Sequence, residues 1–347
     1  MADKLRLGVI GTGGIAQSHL EAWRKVPEVE VVALCDIKPS ALKGTSERWG
    51  IDSKVCFRDH QQMLDAMELD IADVCTPNCA HAQPAINSLK AGCHVLVEKP
   101  VSVSADLVRD MIAAGKKAKK LLMVAQVLRF GRDAQVCKQW MDEGLIGKPY
   151  WARAQMLRRR GVPDWGEFIN AKESAGGPCY DIGVHILDLT LHLMGFPEPV
   201  TVSAGTFLKI ANRPSVMTHS LKRYTVPEDF ATALVRFKDG RIINLEASWA
   251  LNIKEDGVGA SIICGDKGGI SAMPATLILE EKGMLTVTTP EKTKYDDADM
   301  FYNECQAFAR AILEGKPSPV PGEEALITQR ILDGVYKSGA EGREVEA

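Results

Sequence analysis

The chain has 347 residues, a formal charge of −3 and 46% hydrophobic residues. Such a length predicts two domains with a core that stands without staples, and the composition excludes a disordered chain. A charge so near zero excludes a general electrostatic pull toward nucleic acid or an anionic membrane.

Residues 5–10 are a short apolar run closed by Gly11, the pattern of a buried parallel strand. A helix is predicted over 14–26, a strand over 29–35, a helix over 39–49 and a strand over 71–76. A helix over 80–91, a strand over 93–97, a helix over 104–119 and a strand over 121–126 follow. Strand–helix alternation with short links predicts a parallel sheet covered on both faces. The pattern then changes. Strands are predicted over 150–158, 200–207, 230–237, 241–249, 260–264 and 276–281, with Lys238-Asp239-Gly240 turning a hairpin. Helices are predicted over 133–143, 182–194, 299–314 and 323–338. The expected fold class is therefore α/β. A doubly wound dinucleotide-binding domain (1–125) precedes an α+β domain (126–347) with a mostly antiparallel, half-open sheet for substrate binding and oligomerisation. An exposed sheet face predicts a homodimer or homotetramer.

The first ten residues have no apolar stretch long enough for a signal peptide, and no window reaches the ~18 apolar residues of a membrane span. Nine scattered Cys predict reduced thiols in a cytoplasm rather than a disulfide framework. Cys75 and Cys79 with His81 lack a second ligand pair at zinc spacing, so no metal is expected. The basic run 116–120 closes a helix, where cations favour the dipole, and reads as a solvated face.

Three segments carry chemistry. Gly11-Thr12-Gly13-Gly14-Ile15-Ala16 matches G-x-G-x-x-A directly after the first strand. Gly11 permits the tight turn, Gly13 lets backbone approach a pyrophosphate, and Ala16 lets helix and strand pack closely. The helix N-terminus offers N–H groups to the phosphates. Asp36 follows at the end of the second strand, at the spacing of a carboxylate that binds the adenine ribose. It would repel a 2′-phosphate, which favours NAD. Lys38 nearby could reach such a phosphate, so NADP stays open.

Glu98-Lys99-Pro100 follows the strand over 93–97, at the carboxyl edge where doubly wound sheets bind ligand. Lys99 there could exchange a proton with a reacting alcohol; alternatively it is a solvated Lys at a strand end. The third segment runs from Gly176-Gly177 to Asp181 and His185. Spaced i,i+4, these two share one face at a helix start, and an acid beside an imidazole orients it as a base. Asp181 as a helix-terminus acid, His185 as a core histidine, and the pair as metal ligands are the competing readings.

These motifs, in this order and spacing, resemble the glucose–fructose oxidoreductase/inositol dehydrogenase (Gfo/Idh/MocA) family. The resemblance runs from about residue 5 to about 338 and includes Cys75-Thr76-Pro77-Asn78 with His81 and the stretch Phe301-Tyr302-Asn303-Glu304. It implies a nicotinamide-dependent oxidoreductase that oxidises a secondary hydroxyl of a sugar, cyclitol or glycoside, or reduces the ketone. Lys99 would touch the reacting hydroxyl, and His185 would be the acid/base held by Asp181. Gly11, Thr12, Gly13, Gly14 and Ile15 would hold the pyrophosphate, and Asp36 and Lys38 would lie at the adenosine end. Thr76, Pro77, Asn78 and His81 would line the nicotinamide ribose, Glu98 would bind it, and Gln126 would lie near the carboxamide. Arg129 falls where relatives place an Arg-aromatic pair at the substrate mouth, although Gly131-Arg132 departs from their pattern. The loop Arg158-Arg159-Arg160-Gly161-Val162-Pro163-Asp164-Trp165 suits a sugar, with Trp165 stacking and Arg158 donating, or is a surface loop or subunit contact. A relative that retains NAD and oxidises its sugar only transiently, and a non-catalytic NAD-binding regulator, are the alternatives.

Overall fold

A computed structural model describes residues 4–295 and 299–347. The chain forms two units, one of Met1–Ala125 with Asp299–Leu326 and one of Gln126–Ala298 with Ile327–Ala347.

In the first unit, apolar runs become strands β1 (Leu5–Ile10), β2 (Val29–Cys35), β3 (Cys56–Phe57), β4 (Ile71–Val74), β5 (His94–Glu98) and β6 (Leu122–Ala125). Helices α1 (Gly14–Trp23), α2 (Pro39–Trp49), α3 (His60–Ala66), α4 (Ala82–Lys90) and α5 (Ala105–Ala118) connect them. The sheet order is β3-β2-β1-β4-β5-β6, all parallel. Order therefore reverses between β1 and β4, and the turn after each strand lies at that reversal, the ligand crevice of doubly wound sheets. Strand β4 is buried along its whole length, as parallel strands covered on both faces are.

The predicted elements recur with ends moved by a few residues. Helix α1 stops at Trp23 rather than 26, because Pro27 disfavours helical backbone at Val26. Sequence periodicity passes over β3, a two-residue strand, and α3, a seven-residue helix opened by Asp59 accepting from Gln62 N at 2.9 Å. The division at 125 also needs one addition. The helix Met300–Leu313 belongs to the first unit, where Asp299 pairs with Lys25 at 2.7 Å and the Phe301 ring lies 5.8 Å from His19.

The second unit is built on strands β7 (Pro149–Arg158), β8 (Pro199–Phe207), β9 (Phe230–Phe237), β10 (Ile242–Ser248), β11 (Gly257–Gly265), β12 (Gly268–Ala272), β13 (Thr276–Glu281), β14 (Met284–Thr288) and β15 (Val345–Glu346). Their order is β14-β13-β12-β11-β7-β10-β9-β8-β15. Neighbours are antiparallel except β7 and β10, which run parallel. Helices α6 (Arg132–Asp142), α7 (Ala171–Ser174) and α8 (Val184–Met194) come from the same half of the chain. Ile186, Leu187, Leu189, Leu191 and Leu193 of α8 join Ala152, Ala154, Val235, Leu245 and Ile263 of the sheet in one buried cluster. Each such aliphatic side chain contributes about 1.5–3 kcal/mol by leaving water. Strand residues of the other parity, among them Trp151, Leu234, Ile242 and Ile262, stay half-exposed on the opposite face.

Candidate active site

The phosphate turn is shaped by backbone geometry. Gly11 has φ +91°, and a Cβ there would lie 2.7 Å from the carbonyl carbon and oxygen of Cys75. Only glycine admits that approach of the β1 turn to the β4 turn. Gly13 and Gly14 face open space, since a Cβ on either would have no heavy atom within 4 Å. No side chain caps the N-terminus of α1, so its first N–H groups point into the crevice and favour an anion. Ala16 is buried beneath them.

Asp36 is tied into the turn by three hydrogen bonds. Its Oδ2 accepts from Thr12 N at 2.7 Å and Thr12 Oγ1 at 2.9 Å, and its Oδ1 accepts from Lys38 N at 2.7 Å. The carboxylate thus ties the glycine turn to the end of β2. Beside it Ile37 is 75% exposed. Pattern reading passes over this residue, and a large apolar side chain left in water at a crevice is the signal that finds it.

The edges after β4 and β5 are joined by His81, whose ring lies 2.7 Å from Thr76 O and 2.7 Å from Pro100 O. Burial holds its pKa below the ordinary value, against the opposing pull of the two carbonyls. Thr76 Oγ1 donates to Ala80 O at 3.0 Å, closing the short helical turn Asn78–Ala80 that follows Pro77. Glu98 is 5% exposed, and its Oε2 accepts Lys99 N at 2.9 Å. Lys99 itself is half-buried at the strand end.

In the second unit, Asp181 sits in a single turn of π-helix, Cys179–Gly183, that runs into α8, where His185 is the second residue. Such turns are rare and recur at functional sites. Trp249 Nε1 donates to Asp181 Oδ2 at 2.9 Å, so a buried indole fixes the carboxylate. The turn is set from below by Glu228. Its carboxylate accepts Gly177 N at 2.9 Å, Cys179 N at 3.3 Å and the Tyr336 hydroxyl at 2.6 Å. A Cβ on Gly177 would run into Glu228 itself. Sequence reading missed Glu228, because the contact spans some fifty residues and Glu228 belongs to no local motif.

Burial pushes the Glu228 carboxyl up to about 7, against the opposing pull of the Tyr336 hydroxyl and the two amides. The folded state then holds this proton more tightly than the unfolded chain. Its contribution to stability is complete below the ordinary carboxyl range and is lost as pH rises through about 7, a swing of about 3 kcal/mol. Thermal unfolding at stepped pH checks this. Wild type should lose stability between pH 5 and 8 relative to Glu228→Gln, and parallel profiles would refute it.

The remaining substrate candidates divide. Trp165 is 62% exposed with Phe168 edge-on at 6.4 Å, free to present a ring face. Arg158 donates from NH1 to Gly161 O at 3.0 Å, which shapes the loop. Arg129 is 2% exposed; Nε and NH2 reach Asp188 at 2.7 and 2.8 Å, and its guanidinium lies 4.8 Å from the Phe196 ring centre. The structure therefore places Arg129 as a buried brace between the 127–130 turn and α8, not in an open mouth. Gln126 is 2% exposed, and its Oε1 has no hydrogen-bond partner among the described residues.

Comparison with known proteins decides the family. Residues 5–126 match a model described as oxidoreductase family, NAD-binding Rossmann fold, and residues 138–347 match its C-terminal alpha/beta domain. The chain belongs to this oxidoreductase family. It is 34% identical to the D-glucoside 3-dehydrogenase of Escherichia coli K12, over 99% of this chain and 98% of that protein. It is 26% identical to the myo-inositol 2-dehydrogenase of Thermotoga maritima, over 99% and 98% of the two chains. Levoglucosan dehydrogenase in complex with NADH shares the fold, with a TM-score of 0.87 at 20% identity over 99% of each chain.

The first unit of this oxidoreductase is an NAD-binding domain, and its residues fit that cofactor. The open glycine turn and uncapped helix suit a pyrophosphate, and the carboxylate at Asp36 suits a ribose without a phosphate.

Proposed function

We propose that this oxidoreductase removes hydrogen from a secondary ring hydroxyl of a pyranoside, with cyclitols as secondary substrates. The observation that carries the reading is Asp181 held by Trp249 one π-turn before His185, in a chain 34% identical to a glucoside 3-dehydrogenase over nearly its whole length. NAD, when bound, supplies the hydride acceptor. Gly11, Thr12, Gly13, Gly14 and Ile15 hold its pyrophosphate, and Asp36 and Ile37 serve the adenosine, with Lys38 at its outer edge. Thr76, Pro77, Asn78, His81 and Glu98 serve the second ribose, and Gln126 the carboxamide. Lys99 donates a hydrogen bond to the reacting oxygen and steadies the charge that grows there. His185 accepts the hydroxyl proton at its ring nitrogen. Asp181 stabilises the imidazolium that results and, fixed by Trp249, keeps the ring from turning. In the ketone-reducing direction the same proton returns. Trp165 stacks on the C–H face of the sugar, with Arg158 holding the loop.

A panel of pyranosides, free sugars and cyclitols with NAD and with NADP tests this, read by absorbance of reduced nicotinamide. Alkyl glucosides should react fastest, and NAD should outperform NADP. Asp36→Ser should narrow that preference by at least tenfold while weakening NAD, because it removes both the repulsion and the tie to Thr12. No turnover with any ring alcohol would overturn the proposal. A purified sample that already absorbs as reduced nicotinamide would mark a cofactor that stays bound.

The enzyme works as a homo-oligomer closed by the uncovered sheet face. Trp151, Leu234, Ile242 and Ile262 supply apolar area there, and Arg153 and Glu246 supply charges of both signs. Replacing Leu234 and Ile262 with Glu should convert the assembly to monomers in light scattering. A cytoplasmic setting suits the nine cysteines, none of which is in a disulfide. Among the described residues no helix is long and apolar enough to cross a membrane.

A further inference from the structure

Behind the Glu98–Lys99 turn, inside the first unit, lie two buried groups, His19 and Asp73, that the proposed reaction does not use. His19, on α1, is 0% exposed. Its Nδ1 is 2.9 Å from Asp73 Oδ2 and its Nε2 is 2.9 Å from Glu98 Oε1. Asp73, also 0% exposed, accepts Trp23 Nε1 at 2.7 Å and the Cys75 thiol at 3.5 Å. The other oxygen of Glu98 accepts Lys99 N at 2.9 Å. Phe301 packs against the imidazole, and Glu304 and Cys305 of the same helix complete the buried surroundings.

Carboxylates accept hydrogen bonds and cannot donate them. An imidazole lying between two of them carries a proton on each nitrogen. Burial pulls the His19 pKa down, but Asp73 and then Cys75 pull it up further, and it stands well above the ordinary value. His19, Asp73 and Cys75 also bring three potential metal-ligand atoms within 4.8 Å of one another. Both ring nitrogens, however, meet carboxylate oxygens at hydrogen-bond distance, so protons rather than a cation satisfy them.

The three segments joined here are the ones that matter at the crevice. Helix α1 begins at the phosphate turn, β4 ends beside Thr76, and β5 ends at Glu98. We propose that His19 is a positioning residue: as an imidazolium anchored on Asp73, it fixes the Glu98 carboxylate and, through the bond from Lys99 N to Glu98, the orientation of the turn that presents Lys99. This rests on the reading of Glu98 and Lys99 given above. The ring adds no group to the reacting atoms. It replaces the water that would otherwise solvate Glu98, and it makes one orientation of that carboxylate much better than the rest.

Two variants separate positioning from bulk stability. In His19→Gln the amide nitrogen stands near the imidazole Nε2 and still donates to Glu98. In His19→Asn it stands near Nδ1 and donates to Asp73 alone. Both variants should melt earlier by similar amounts. NADH affinity, read by fluorescence titration, should fall about tenfold in His19→Asn, the loss expected for one charge-assisted hydrogen bond, and most of it should return in His19→Gln. The kcat for the sugar should follow the same order, with KM for the sugar little changed. Asp73→Asn, which keeps the shape but removes the charge that holds the imidazolium, should also weaken NADH and serves if His19→Asn fails to fold.

Equal NADH affinity in the Asn and Gln variants, or an unchanged affinity in Asp73→Asn, overturns the proposal. Glu98→Gln distinguishes the two levels. A weaker NADH affinity in Glu98→Gln, alongside equal His19 variants, sinks the positioning role alone. An unchanged affinity in Glu98→Gln removes the reading of Glu98 as a cofactor ligand and the proposal with it.

Discussion

Replacing Lys99 with Ala is expected to lower kcat for the sugar by a factor of about 10²–10⁴ while NADH binding persists. Lys99 sits at the carboxyl end of β5, its backbone N–H held by Glu98 and the next residue's carbonyl held by His81. The backbone that positions it is therefore independent of its side chain, and the phosphate turn is formed by other segments. In the proposed role, removing the ammonium strips the reacting oxygen of a donor whose value grows as charge develops, so the loss falls on kcat rather than on cofactor affinity. Stopped-flow single turnovers and an NADH titration separate the two. Unchanged turnover would remove Lys99 from the chemistry, and parallel loss of NADH affinity would make it a cofactor ligand instead.

Asp188→Ala is expected to cost about 3–5 kcal/mol of stability, because it leaves the Arg129 guanidinium buried without its carboxylate. Both side chains are nearly inaccessible, and the pair is bidentate. Replacing both partners together, Arg129→Met with Asp188→Leu, should recover most of the loss, since the penalty comes from the stranded charge rather than from the missing pair. Chemical denaturation measures both. The double variant also settles what Arg129 does: a brace leaves the sugar KM near the wild-type value, whereas a substrate ligand raises it sharply even in a protein that folds well.

The first unit was readable because its signals are local. Alternating apolar runs and helices, a glycine turn directly after a strand, and an acid at the end of the next strand each occupy a few adjacent residues. What escaped was short or held together by distant contacts. Strand β3 is too short for any periodicity, and β12 opens on Gly268-Gly269 and lacks an apolar pattern. The return of residues 299–326 to the first unit depends on packing against α1, which a linear reading does not contain. At the site the same division holds. The spacing of Asp181 and His185 is visible, but the groups that hold Asp181 and its turn are not. Trp249 and Glu228 come from the far side of the sheet in sequence, and no motif links either to the helix it serves. The Arg129–Asp188 pair was equally out of reach, since a cation beside an aromatic residue looks the same in sequence whether it faces a substrate or a buried acid.

The most direct test of the central claim follows one hydrogen. A methyl glucoside carrying deuterium on the ring carbon of each secondary hydroxyl in turn, incubated with NAD and the enzyme, should deliver one deuterium to the reduced nicotinamide from a single position. Mass spectrometry should find it there, with the ketone at the same ring carbon. A ketone formed with no deuterium in the nicotinamide, or no ketone from any labelled ring position, would contradict it.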